Sequence, residues 1–257
     1  MIRVEWIIIA AILQGVLEWL PVSSSGQVSL YYMHLAGLSP AEAYRASVAL
    51  HLGTALGAII VVRNELLDAL HRGPWLRVAA IPMLAGGPVG LAIMTGLEGA
   101  PGDTVNLLIG LGLIATGLLV RTGAGGGRGV EDLGALELAA IGVLQGLAAV
   151  PGLSRSAVTI AGLLAMGLRP GDAVRASIVM GVPVTMAAGL YEAARGGLGL
   201  GIHEAVIGVA IAGLAGALSA GAMIGLASRV GRRLSLFLVV LGILILAPYA
   251  PLVLDPL

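Results

Sequence analysis

The sequence contains no cysteine and no lysine. The first absence excludes disulfides, thiolate metal sites and cysteine nucleophiles. The second makes each of the 14 cations an arginine. Aromatic residues are scarce, and charged residues make up only 11% of the 257, against about 25% in a soluble domain. That poverty of charge excludes an ordinary cytosolic enzyme and a disordered chain. The 14 cations are balanced by 14 acidic residues, so no basic field exists to attract DNA or RNA. Apolar residues are abundant instead: 58% of the chain is hydrophobic and 40 residues are glycine, with a mean hydropathy of +1.01. Glycine at this level suits closely packed transmembrane helices. The expected fold class is an all-α polytopic membrane protein in a single membrane domain, 1–257.

A spanning helix needs about 20 mostly apolar residues. Uncharged runs at 46–62, 78–97, 104–120, 176–191, 205–228 and 234–254 predict six spans. Residues 6–17 and 138–150 are apolar but shorter. Each runs into a proline and a serine-rich turn, Pro21-Val-Ser-Ser-Ser-Gly26 and Pro151-Gly-Leu-Ser-Arg-Ser156, and a second short apolar arm follows. Arms this short reach about 20 Å at 1.5 Å per residue, less than the roughly 30 Å hydrocarbon core. They predict two re-entrant helical hairpins, 6–38 and 138–168, with kinked full-length spans as the alternative. No small-residue cleavage site follows the first apolar run, so it is kept as part of the fold.

The halves resemble each other. GLSPAEAYRAS at 37–47 and GLRPGDAVRAS at 167–177 agree at seven of eleven positions, at an offset of 130. Gln14-Gly15 and Gln145-Gly146 agree at an offset of 131, which also sets Ser23, Ser24 and Ser25 against Ser154, Arg155 and Ser156. Three predicted spans separate the hairpins. An odd number inserts the second half upside down, giving an inverted repeat of 1–128 and 132–257. Arg63, Arg72, Arg77, Arg121, Arg128, Arg229, Arg232 and Arg233 fall on one side, against Arg3 and Arg195 on the other. The positive-inside rule then puts both termini outside, with the hairpins entering from opposite faces. Broken helices meeting at the midplane suit a transporter-like architecture. Irregular backbone at that depth must line a polar site or be buried.

That site has identifiable chemistry. The first turn offers Glu18, Ser23, Ser24, Ser25 and Gln27, with Gln14 one helical turn before Glu18. The second offers Ser154, Arg155, Ser156 and Thr159, with Gln145 upstream. An intramembrane arginine is functional by default, and its fork of donors matches phosphate oxygens. Each turn opens a helix N-terminus, which favours anions. A serine there can bind phosphate or attack it. The plainer reading is that the serines cap helices and Arg155 pairs with Glu18 as a packing device. His34, His71 and His203 are dispersed without metal-ligand spacing. Thr122–Gly129 lacks the lysine of a phosphate-binding loop and is expected to be a flexible connection. Trp6, Trp19 and Trp75 are expected at interfaces or in packing.

These residues resemble a family. Glu18-Trp-Leu-Pro-Val-Ser-Ser-Ser-Gly26 is similar to the E-F-L-P-V-S-S-T-G motif of the undecaprenyl-diphosphate phosphatases of the bacitracin-resistance type. Pro151-Gly-Leu-Ser-Arg-Ser-Ala-Val-Thr159 is similar to their second motif, P-G-x-S-R-S-x-x-T. The similarity runs across the whole chain. It implies a plasma-membrane hydrolase with its active site open to the outer face. Such an enzyme removes the terminal phosphate of a C55 lipid diphosphate, leaving the monophosphate carrier for cell-wall sugars. It implies dependence on a divalent cation, Mg or Ca, with Glu18 as its ligand. By position, Ser24 corresponds to the proposed nucleophile, Glu18 to the second glutamate of an E-x-x-x-E, and Arg155 to the phosphate-binding arginine. Substrate-binding positions are then Gln14, Ser23, Ser25, Gly26, Gln27, Ser154, Ser156 and Thr159. The partners expected are the lipid and the bilayer, without nucleic acid, and with a homodimer allowed.

Three positions depart from the family pattern. Gln14 stands for the first glutamate of E-x-x-x-E, Gln27 for a histidine after the serines, and His51-Leu-Gly53 for a usual Q-L-G. Glutamine carries no proton at neutral pH and is a weaker ligand for a hard cation than a carboxylate. Either hydrolysis is lost and lipid-phosphate binding remains, or the histidine function moves to His51. A histidine that merely bonds neighbouring helices is the plainer reading of His51. Attack by water with Ser24 only binding is equally compatible. The rival class is a polyprenyl-phosphate transporter or flippase without hydrolysis, and a lipid-binding scaffold is a third.

Overall fold

The computed structural model describes residues 3–71, 73–97, 102–119, 126–196 and 202–226, with 239, 240 and 243. The predicted span 234–254 apart from residues 239, 240 and 243, Arg72, Arg121, Arg229, Arg232, Arg233, and residues 122–125 of the glycine-rich connection lie outside the described residues. The order is α1 Val4–Glu18, α2 Ser24–Leu35, α3 Pro40–Ala49, α4 His51–Val61, α5 Arg63–Leu70, α6 Pro74–Gly96, α7 Gly102–Leu119, a 3₁₀ turn Val130–Asp132, α8 Ala135–Leu147, α9 Arg155–Ala165, α10 Pro170–Ala194 and α11 Ile202–Gly225. Among the described residues, extended pairing is confined to an isolated bridge between Arg128 and Leu168. The fold is all-helical there.

Four helical segments are long and apolar enough to cross a membrane: Pro40–Val61, Pro74–Gly96, Pro170–Ala194 and His203–Gly225. The first begins six residues before the uncharged run at 46–62. The reason is local and tertiary. Ser39 and Glu42 form a capping box with Pro40 at the first helical position, a strong helix start. Arg45, which interrupts the apolar run, is neutralised by Glu192 of α10 at 3.1 Å. α7 covers the run expected at 104–120.

α1 and α8 are shorter, 15 and 13 residues, or about 22 and 20 Å at 1.5 Å per residue. α1 stops at Glu18, before Pro21, and α2 begins from Ser23 with φ 59°. α8 stops before Pro151, and Ser154 caps α9 by accepting the Ala157 N–H at 3.2 Å. Two short arms thus flank each proline turn, as expected from the sequence, with helical bounds shifted by up to four residues.

Glycine explains how these arms reach the middle of the molecule. A Cβ at Gly86 or Gly142 would collide with the facing backbone of α8 or α6. One at Gly15, Gly53 or Gly57 would collide with α11. Helix backbones therefore approach closely, as small-residue interfaces in membranes do. The core beneath the second turn includes Trp19, Ile141, Leu163, Leu168, Val174 and Ile178. Ile60, Leu84, Leu214 and Leu218 are exposed, a lipid-facing rather than a water-facing pattern.

Equivalent positions make equivalent contacts. Ser29 Oγ lies 3.2 Å from Ser47 Oγ, and Thr159 Oγ1 lies 2.6 Å from Ser177 Oγ. Ser29 donates to the Ser25 carbonyl and Thr159 to that of Arg155. The equivalent arginines Arg45 and Arg175 each pair with a glutamate of the other half, Glu192 and Glu65.

Candidate active site

The two proline turns meet. Ser156 Oγ donates to the Leu20 carbonyl at 2.7 Å, and a Cβ on Gly26 would come within 3.0 Å of Gly152 Cα. Gly152 supplies the positive φ of 89° that the second turn requires. Around this junction α1 brings Gln14 and Glu18, α2 brings Ser24, α4 opens with His51, and α9 opens with Arg155.

Glu18 is the hub, and its side chain is almost fully buried. Its Oε1 accepts from Arg155 Nη2 at 2.8 Å. Its Oε2 accepts from Ser24 Oγ at 2.7 Å and from Gln14 Nε2 at 2.6 Å. His51 Nε2 faces the same oxygen at 3.3 Å. Gln14 Nε2 also reaches Ser24 Oγ at 3.2 Å and His51 Nδ1 at 3.4 Å. The His51 ring is fixed on its other side by the Ser47 carbonyl, 3.2 Å from Nδ1. Arg155 additionally donates Nη1 to the Ser177 carbonyl at 3.0 Å, and its guanidinium carbon lies 4.7 Å from the Trp19 ring centroid. A buried charge pair needs such extra hydrogen bonds to persist.

Five expected residues thus converge: Gln14, Glu18, Ser24, His51 and Arg155. The others divide. Ser25 lines the cavity described below. Gly26 lets the turns touch. Gln27 turns its amide to the Val22 carbonyl. Ser154 caps α9, Ser156 ties the turns together, and Thr159 bonds within α9 and to Ser177. These last four use their polar atoms on the fold itself. Ser23 is buried with its hydroxyl unpartnered, on the left-handed backbone that opens α2. For a residue other than glycine, that conformation is strained and typical of functional sites.

Unpartnered buried polar atoms cluster here. Among the described residues they are Gln14 Oε1, Trp19 Nε1, Ser23 Oγ, both amide atoms of Gln145, Arg155 Nε and Tyr31 Oη. All but Tyr31 belong to the two turns or the helix ends that enter them. Natural interiors leave few such atoms unsatisfied, so their concentration marks a place for a polar ligand. Gln145, noted upstream of the second turn in the sequence, was not among the substrate-binding positions expected there. Its signal was the offset that pairs it with Gln14. Trp19, taken for packing, also carries Arg155 on its face.

A cavity of about 480 Å³ adjoins the cluster. Glu18, Ser25, His51, Gln145 and Arg155 contribute to its wall, and the remainder is mostly apolar: Met83, Leu84, Pro88, Leu91 and Met94 of α6, with Ala148, Ala149, Val184, Ala187 and Ala188. Polar groups at one place on an apolar cavity suit an amphiphile with an anionic head.

The donor set does not fit the divalent cation that the motifs implied. Ca takes six to eight hard oxygens, and Mg takes six, usually one or two carboxylates completed by water and substrate phosphate; either ion needs a carboxylate oxygen free to bind it. Among the described residues, Glu18 is the single carboxylate in this junction, and both its oxygens already accept from N–H and O–H donors, one of them cationic. Among the described residues, no group of three or more histidines and carboxylates converges.

A family model described as bacitracin resistance protein BacA matches residues 7–244. The undecaprenyl-diphosphatase of Methanothrix thermoacetophila is 34% identical over 187 residues, covering 68% of this chain and 70% of its own. That of Methanopyrus kandleri is 34% identical over 200 residues, 74% of each. That of Haloarcula marismortui is 32% identical over 243 residues, covering 87% and 89%.

Proposed function

The chain belongs to the bacitracin resistance protein BacA family, and from that premise we propose that it hydrolyses a polyprenyl diphosphate of the undecaprenyl type. The products are the monophosphate lipid carrier and inorganic phosphate. The carrying observation is the shared carboxylate: Glu18 accepts the Ser24 hydroxyl on one oxygen and the Arg155 guanidinium on the other. A nucleophile bonded to its base beside a phosphate-matching cation is what phosphoryl transfer requires. A transporter needs no such pair and is not favoured.

The prenyl chain occupies the apolar cavity and the bilayer beyond it. The diphosphate head takes the free Nε of Arg155 and competes with Glu18 for Nη2. Glu18 then accepts the Ser24 proton, and Ser24 Oγ bonds the terminal phosphorus as the bridging P–O bond breaks. The leaving prenyl monophosphate keeps the bridging oxygen. Water then cleaves the phosphoserine, returning Ser24 and releasing phosphate. Direct attack by water, with Ser24 only binding, differs by forming no phosphoserine.

The test is phosphate release from farnesyl or undecaprenyl diphosphate by the purified chain in detergent, with Ser24→Ala as control. Release that Ser24→Ala abolishes supports the reading. Transfer of lipid phosphate across vesicles without release would replace it with transport.

The two helix–turn–helix units act as re-entrant hairpins among six spans. Both termini lie outside a plasma membrane, and the site opens to the outer face. The recurrent pairs Ser29–Ser47 and Thr159–Ser177, and Arg45–Glu192 and Arg175–Glu65, support an inverted repeat of 1–128 and 132–257. In this cysteine-free chain, Leu257→Cys is expected to label from outside intact cells with an impermeant maleimide. Gly127→Cys is expected to label only after permeabilisation. Labelling of both from one side would overturn the inverted arrangement. Nucleic acid has no place in this function, and light scattering in detergent would read whether the enzyme is a homodimer.

Gln145 belongs to the binding site. Its buried amide lacks partners in the free protein, and a phosphate oxygen supplies one to Nε2. Replacing an unsatisfied polar group by an apolar one of similar shape is stabilising or neutral. Gln145→Leu is therefore expected to raise the melting temperature. A lost hydrogen bond to a charged group, about 1.5–3 kcal/mol, raises KM roughly ten- to a hundredfold. Unchanged KM would remove Gln145 from the site.

A further inference from the structure

We infer that this phosphatase works without a divalent cation, because Gln14 and Arg155 together occupy the carboxylate that would hold one. The inference rests on the phosphatase reading and concerns the same site. Its physical basis is the coordination of Glu18. An ionised carboxylate offers about four lone-pair directions. Arg155 Nη2 takes one on Oε1, while Gln14 Nε2 and Ser24 Oγ take two on Oε2, and His51 Nε2 stands 3.3 Å from that same atom. A hard cation inserted here would have to expel these donors and approach the Arg155 charge. It would gain a single carboxylate in return.

Gln14 decides the matter. It lies one helical turn before Glu18, so the two side chains share a face of α1. A carboxylate at position 14 would stand against that of Glu18, and two like charges at hydrogen-bond range need a shared proton or a cation between them. The Gln14 amide instead presents N–H to Glu18 at 2.6 Å and to Ser24 at 3.2 Å. The opposite amide orientation would set oxygen against a carboxylate oxygen. One donor thus replaces one repelled charge, and with it goes both the need and the room for the metal. Arg155 supplies the positive charge that the terminal phosphate requires, as a fixed guanidinium held by Glu18, the Ser177 carbonyl and the Trp19 face.

The experiment measures two quantities on the purified full chain and on Gln14→Glu. The first is phosphate release from farnesyl diphosphate in excess EDTA, then with Mg²⁺ or Ca²⁺ added. The second is the melting temperature of the substrate-free protein under the same conditions. The native chain is expected to keep its full rate in EDTA and to show no saturable stabilisation by either cation. Gln14→Glu is expected to lose most of its turnover in EDTA, to regain it with cation, and to gain a cation-dependent melting temperature. Loss of native activity in EDTA with recovery on adding cation would overturn the inference, as would saturable stabilisation of the native chain. If neither condition yields phosphate, the phosphatase reading fails, and the melting measurements still decide whether the native site takes a cation.

Discussion

Arg155→Lys is expected to lower phosphate release by roughly 10²–10³-fold, the cost of removing one preorganised donor to a developing oxyanion, while the protein still folds. The guanidinium does three things at once. It donates to Glu18, donates to the Ser177 carbonyl and lies over Trp19. Its Nε remains free inside the protein, so a phosphate oxygen can meet a second, parallel donor. Lysine keeps the charge and can still neutralise Glu18, but it concentrates its donors on one nitrogen and cannot make the planar two-point contact. The fold should survive for the same reason. Arg155→Ala is a different case, because it strands a buried carboxylate, which costs about 3–5 kcal/mol when a buried pair is broken from one side. Lysine should therefore separate the readouts: turnover collapses while the melting temperature holds. Alanine should lower both. Near-normal turnover in Arg155→Lys would deny the arginine any grip on phosphate and leave it as a packing partner for Glu18.

That Glu18 and Arg155 would meet was legible in the sequence. Each is a charge in a short apolar segment ending in a proline turn, and a charge at that depth needs a partner. The short arms were legible for the same reason, since Pro21 and Pro151 stop helices too short to cross. Three features were not. The helix that begins at Pro40 was read as starting at residue 46, because Arg45 counted as a boundary. Its partner, Glu192, comes from a helix 147 residues later. The motif singled out Ser24, but the left-handed backbone at Ser23 just before it is a feature that no spacing rule announces in a residue with a side chain. Ser24, the first residue of α2, is the one whose hydroxyl reaches Glu18. Gln145 was visible as the counterpart of Gln14, yet its significance lies in bonds it does not make, and those exist only in three dimensions.

His51→Gln restores the residue usual in the family at this position and is nevertheless expected to inactivate this enzyme. His51 lies within the helical segment Pro40–Val61, at the junction of α3 and α4. Nε2 lies 3.3 Å from Glu18 Oε2, the oxygen that also accepts the Ser24 hydroxyl. A proton taken from Ser24 by Glu18 can therefore pass to the imidazole, and from there to the leaving phosphate or the phosphoserine oxygen. Gln27 cannot substitute, since its amide is committed to the Val22 carbonyl and carries no exchangeable charge at neutral pH. A positioned acid–base group contributes about 10²–10⁴-fold, and the loss should fall on kcat, with KM little changed. Because glutamine still donates to a carboxylate, the melting temperature should hold. The double variant His51→Gln, Gln27→His places a histidine in the first turn of α2, three residues beyond Ser24, and should recover part of the activity. A packing histidine behaves in the opposite way, with a lower melting temperature and normal turnover. Full activity in the single variant would leave Glu18 as the sole proton acceptor for Ser24.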